Sequence, residues 1–109
     1  MQDFAQIRVI AHRGASQYAP ENTLAAFELA ADQGAEAIEC DAKLTRDGAI
    51  VLMHDATVDR TSSGHGAVRR FDLKAIRALD AGAWFDPRFK GQRVPTLEEA
   101  VRLWVSRAL

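Results

Sequence analysis

The 109-residue sequence predicts an α/β fold organised around a βαβ unit, and three successive stretches predict it. Residues 7–11 (IRVIA) form a short β-branched run, the composition of a buried strand. Residues 21–33 carry Leu24, Phe27 and Ala31 at spacings of three and four, the stripe of an amphipathic helix. Residues 36–44 (EAIECDAKL) return to a period of two, which marks a second strand. Strand, helix and strand joined over so short a stretch make a right-handed crossover almost without exception.

Composition sets the limits of this reading. Apolar residues are 48% of the chain and charged residues 27%, which excludes a low-complexity or disordered class. Lys plus Arg number 14 against 15 for Asp plus Glu, a formal charge of -1. That balance argues against a nucleic-acid surface and against a polybasic membrane patch. A single cysteine makes no internal disulfide, and no apolar run reaches the ~18 residues of a membrane span. The opening MQDFAQIRVIAHRG lacks a basic leader followed by an apolar core, so a cytoplasmic location is expected. One domain covering residues 1–109 is expected, because no linker or repeat divides the chain.

The remaining elements follow in order. His12-Arg13-Gly14 closes the first strand, and Pro20 marks a loop before the helix, which Gly34 terminates. Residues 49–54 (AIVLMH) read as a third strand introduced by the turn pair Asp47-Gly48. Residues 57–66 are a long polar loop, of the kind that is functional or mobile in small domains. Asp72 caps a short helix over residues 73–79, and the aromatic loop AGAWFDPRF follows it. Thr96 and Glu99 match a capping box that opens a last helix running to Leu109, with Leu97, Val101 and Trp104 along one stripe.

Two acids, Glu39 and Asp41, stand two apart on a predicted strand, so both carboxylates share one face. Spacing alone leaves two readings open: a solvent-facing edge, or a pair held together by a divalent cation, Mg²⁺ or Ca²⁺, through oxygen ligands. His12 and His54 each end an apolar strand, where parallel α/β folds bind ligands and where an imidazole is suited to proton transfer. A two-residue Asp47-Gly48 loop sets Asp41 directly opposite His54; an extended parallel return would leave both at the same sheet end. Arg13 offers a planar fork for an anion, and Asn22 is either an ordinary helix-start residue or a ligand-holding amide. Cys40 reads as a small core residue, His65 as an exposed loop residue, and Trp84, Phe85 and Phe89 as packing beneath a loop.

Five segments, in this order and spacing, resemble one family, the glycerophosphodiester phosphodiesterases. They are AHRGASQYAPENT, IECDAKLTRDGAIVLMHD, DRTSSGHG, DAGAWF and VPTLEEA. The resemblance implies a (β/α)8 TIM barrel that hydrolyses glycerophosphodiesters to glycerol 3-phosphate and an alcohol. It implies His12 and His54 as the catalytic pair, Glu39 and Asp41 as ligands of Mg²⁺ or Ca²⁺, and Arg13 on the phosphate. The PEN motif of the family maps onto Pro20, Glu21 and Asn22, which places Asn22 among the substrate-binding residues.

A full barrel takes roughly 250 residues, so an incomplete N-terminal portion, one partial domain, is expected here. In the family, a further metal-binding glutamate and a lysine two residues on belong to the next strand. Two accounts follow: a portion of an enzyme, or a truncated non-catalytic piece that binds metal or phosphate or serves in assembly. The partner expected is a small glycerophosphodiester, with no nucleic acid and no integral membrane association. Exposed sheet edges add an expectation of self-association.

Overall fold

In the computed structural model, which describes residues 9–108, the βαβ unit is present. Strand β1 (Ile10–His12) pairs in parallel with β2 (Ala37–Glu39), so that His12 lies beside Glu39, and helix α1 (Leu24–Asp32) makes the crossover. The start of the predicted first strand, Ile7 and Arg8, lies outside the described residues, as does Leu109 at the predicted end of the last helix.

Helix α1 starts at Leu24, three residues after its predicted start at Glu21. The cause is local: Asn22 adopts a left-handed backbone with φ 57°, which a helix cannot contain. Thr23 is therefore the N-cap, its Oγ1 accepting from the Ala26 amide and donating to the Pro20 carbonyl. The helix buries Ala26, Phe27 and Ala30 and ends at Asp32, with Gln33 as C-cap and Gly34, at φ 84°, turning the chain away.

Residues 36–44, predicted as one strand, divide in two. After Glu39 the chain leaves β1, and β3 (Ala42–Leu44) pairs antiparallel with β4 (Ile50–Leu52). The Thr45 amide donates to Ala49 O at 2.9 Å and the Gly48 amide to Thr45 O at 3.1 Å, with Gly48 at φ 83°. This is a hairpin loop of three residues, 46–48, with glycine in the left-handed position. The extra residue moves the register by one. Asp41 accordingly lies opposite Met53, whose amide donates to Asp41 O at 2.8 Å, and not opposite His54 as a two-residue loop requires.

Strand β4 divides the interior. Val51 and Met53 enter a cluster with Val58, Val68, Ile76, Ala81 and Val94, whereas Leu52 joins Phe27 and Ala100 on the other side. Helix α2 (Leu73–Arg77) is capped by Asp72 as expected and closes the first cluster with Ile76. Helix α3 (Leu97–Ala108) opens with the predicted capping box, Thr96 Oγ1 accepting from the Glu99 amide and Glu99 Oε1 from the Thr96 amide. Its inward stripe is Leu97, Ala100 and Leu103; Val101, predicted to lie on that stripe, is 51% exposed. Trp84, Phe85 and Phe89 stack edge to face, with ring centroids 5.7 and 5.8 Å apart, but Trp84, expected to pack beneath the loop, is exposed. Among the described residues no helix is long and apolar enough to cross a membrane.

Candidate active site

The candidate residues gather where β1 and β2 end and where β4 runs into the polar loop. His12 is the last residue of β1, and its Nε2 lies 3.2 Å from Oε1 of Glu39, its neighbour across the parallel pair. Arg13 follows with φ 56°. A left-handed arginine costs about 1 kcal/mol or more, and the surroundings hold it there. The Asn22 amide donates to Arg13 O at 3.0 Å, and Gly14 seats against α1, the Ala15 amide donating to Ala26 O.

Arg13 and Asn22 converge on Asp41. Asn22, only 4% exposed, donates from Nδ2 to Asp41 Oδ2 at 3.0 Å and accepts from the Asp41 amide on Oδ1. Arg13 Nε lies 3.4 Å from the same carboxylate oxygen, yet this buried nitrogen makes no hydrogen bond. At that distance the contact is an ion pair between the guanidinium and the carboxylate, without an aligned hydrogen bond.

A second half of the site is built around His54. Its Nδ1 lies 2.8 Å from Asp55 Oδ1. Arg60, from the polar loop, grips Asp55 with Nε and a terminal nitrogen, and it donates to Glu21 at 2.7 Å. Glu21 in turn accepts from Arg13 at 3.2 Å. One unbroken polar chain thus runs from His54 through Asp55, Arg60, Glu21 and Arg13 to Asp41. The Arg60 guanidinium, with His54 second, holds the Asp55 carboxyl well below the usual carboxylate range. His54 and Glu21 border a narrow cleft with Asn22 and Thr61, while His12 borders a wider groove with Ser16, Gln17 and Tyr18.

The donor set suits a hard divalent cation. Among the described residues, the contacts of these carboxylates fall on Oε1 of Glu39 and Oδ2 of Asp41, which leaves one oxygen of each open. No three His, Cys, Asp or Glu side chains cluster as a metal site among the described residues. Two carboxylates completed by water and phosphate oxygens is the usual arrangement for Mg²⁺. Cys40 lies half-buried against the Phe27–Leu52 cluster, and burial, then the charges of Asp41 and Glu39, push its thiol up. It is a neutral packing residue. His65 is exposed, its Nδ1 3.1 Å from Asp59.

The sequence model of the Glycerophosphoryl diester phosphodiesterase family matches residues 12–108. The chain belongs to this family. A glycerophosphodiester phosphodiesterase of Caldanaerobacter subterraneus subsp. tengcongensis is 54% identical over 95 residues, which are 87% of this chain and 39% of that protein. The crystal structure of glycerophosphodiester phosphodiesterase from Agrobacterium tumefaciens str. C58 superposes with a TM-score of 0.91 at 46% identity, covering 94% of this chain and 45% of that one. A phosphodiesterase of Oleispira antarctica, in complex with the product sn-glycerol-3-phosphate, superposes at 0.90 with 40% identity, covering 93% and 41%. The chain therefore spans about two-fifths of the length of the family members it matches. Its βαβ unit and hairpin are the N-terminal portion of a glycerophosphodiester phosphodiesterase TIM barrel.

Sequence reasoning did not single out Asp55 or Arg60 for this site, and it placed Glu21 in the PEN motif without giving it a role. The HD pair was visible as the end of a strand. The partnership of Arg60 with Glu21, 39 residues apart, had no local signal.

Proposed function

We propose that residues 1–109 form one partial catalytic domain, whose side chains hydrolyse glycerophosphodiesters to glycerol 3-phosphate and an alcohol. The observation that carries this reading is the polar chain from His54 through Asp55, Arg60, Glu21 and Arg13 to Asp41, with a separate pair, His12 and Glu39, at the paired ends of β1 and β2. Family membership supports the substrate class, and the glycerol 3-phosphate complex of the Oleispira antarctica relative supports the product.

The roles follow from the chemistry of each group. Arg13, held by Glu21 and Asp41, binds the phosphodiester and offsets charge that accumulates on the phosphoryl oxygens. Glu39 and Asp41 would hold Mg²⁺ or Ca²⁺, which when bound would supply further positive charge against the charge that builds up in the reaction. Asn22 fixes Asp41 and keeps its second amide hydrogen for a substrate oxygen. An attacking hydroxyl gives its proton to one of His12 and His54 as its oxygen bonds to phosphorus. The other histidine delivers a proton to the alkoxide as the phosphorus–oxygen ester bond breaks. The site serves small dissolved phosphodiesters in the cytoplasm. A second copy can pair through the exposed edges around Ile10 and Ile50.

The test is release of glycerol 3-phosphate from glycerophosphocholine with Mg²⁺, with Ca²⁺ and with chelator. Release is expected with metal, and His12→Ala or His54→Ala is expected to lower it by ~10²-fold or more. A folded chain that binds metal and phosphate without release would assign these residues a binding role instead.

A further inference from the structure

The reacting groups do not explain Arg60. It sits in the loop between β4 and the 3₁₀ turn at Val68–Arg70, and its guanidinium spans two carboxylates from distant parts of the chain. Nε lies 2.9 Å from Asp55 Oδ2, and a terminal nitrogen lies 3.0 Å from Asp55 Oδ1 and 2.7 Å from Glu21 Oε1. The loop that carries it is fixed from within: Ser62 donates to Val58 O at 2.6 Å, and Asp59 accepts from the Gly66 amide at 2.9 Å.

We propose that Arg60 is a positioning residue that locks His54 in one tautomer by pinning the Asp55 carboxylate against Nδ1. The argument rests on acceptor chemistry and on the hydrolytic reading above. Asp55 is ionised and so can only accept; the 2.8 Å contact therefore requires the proton on Nδ1 of His54. The neutral ring is left with a bare Nε2, the nitrogen available to take a proton. Asp55, half-buried three residues beyond β4, has no side-chain partner besides His54 and Arg60 among the described residues. The planar fork of Arg60, anchored at its far side by Glu21, holds its carboxylate in place. A lysine could neutralise either acid but could not span both in this geometry. Lys43 approaches His54 as well, though only at its backbone carbonyl, at 2.9 Å.

The experiment is ¹⁵N NMR of histidine-labelled protein at a pH where the His54 ring is neutral, with His54→Gln to assign its signals. The parent is expected to show His54 mainly as the Nδ1–H tautomer. Arg60→Gln should lower the ratio of Nδ1–H to Nε2–H about fivefold, the change that one typical net hydrogen-bond contribution implies. Arg60→Lys should lower it as well, and it provides the reading if Arg60→Gln fails to fold. Arg102→Ala, which breaks an exposed ion pair with Glu98 elsewhere, should leave it unchanged. An unchanged ratio in a folded Arg60 variant, or a parent with Nε2–H dominant, overturns the proposal. Because the tautomer is read without turnover, absence of hydrolysis counts against the hydrolytic reading and not against this one.

Discussion

Asp41 is tied on one side only, because it accepts from Asn22 and faces Arg13 with the same carboxylate oxygen. Asp41→Asn retains the shape and removes the charge that a cation needs. Metal affinity is expected to fall by about tenfold or more, the scale seen when metal-site groups are altered, with the far-ultraviolet circular dichroism unchanged. Equal calorimetric binding in parent and variant would remove Asp41 from the metal site. The placement of His12 and Glu39 at the ends of paired strands was legible in the sequence, where alternation fixes position, whereas Asp41 and His54 lie two residues beyond the ends of β2 and β4. Asp55 and Arg60 were not legible. Their importance lies in a pairing closed through Glu21, and an arginine in a polar loop looks the same whether or not it finds two carboxylates.

At the level of elements, the turn after β1 is held by its contact with α1. A Cβ on Gly14 would lie 2.8 Å from both the carbonyl carbon and the Cβ of Ala26, on a backbone with φ 79°. Gly14→Ala should therefore destabilise the fold by about 1–3 kcal/mol, the cost of forcing extra volume into packed structure. It should also displace Arg13, since the helix must retreat. A urea midpoint equal to that of the parent would show that this close approach does not hold the turn. The same region explains why some elements were readable and others were not. The capping box of Thr96 with Glu99 and the Asp72 cap are local side-chain-to-amide devices, so sequence spacing was enough. The division of residues 36–44 into β2 and β3 was not readable, because the Asp41 amide turns toward Asn22, a partner 19 residues away. The hairpin register slipped by one because Arg46 entered the loop, a choice set by the left-handed Gly48 and not by hydrophobic pattern.

Across the whole molecule, carboxylates tie the loops to the elements, and this sets the response to acid. The Thr45 hydroxyl and the Leu73 amide lower Asp47, and the Gly66 amide and His65 lower Asp59. The amides of Ala83, Gly91 and Gly82 lower Asp80, and Arg60 and His54 lower Asp55. For Glu99, burial pushes upward, but the Thr96 amide and Arg77 outweigh it. In each case the folded chain holds the proton less tightly than the unfolded chain does, whose carboxylates titrate near ~4. The unfolded state therefore binds more protons in acid, and stability falls as pH drops. The urea midpoint is expected to be level between pH 7 and 5 and to decline below about 4.5, where unfolded carboxylates begin to protonate. A midpoint that stays level to pH 3 would mean that these contacts do not distinguish the folded state from the unfolded one. Asp80→Asn should shallow the decline without altering His54. Asp55→Asn should shallow it and also release His54 from its fixed tautomer, because Asp55 is the one of these acids that belongs to both the loop framework and the site.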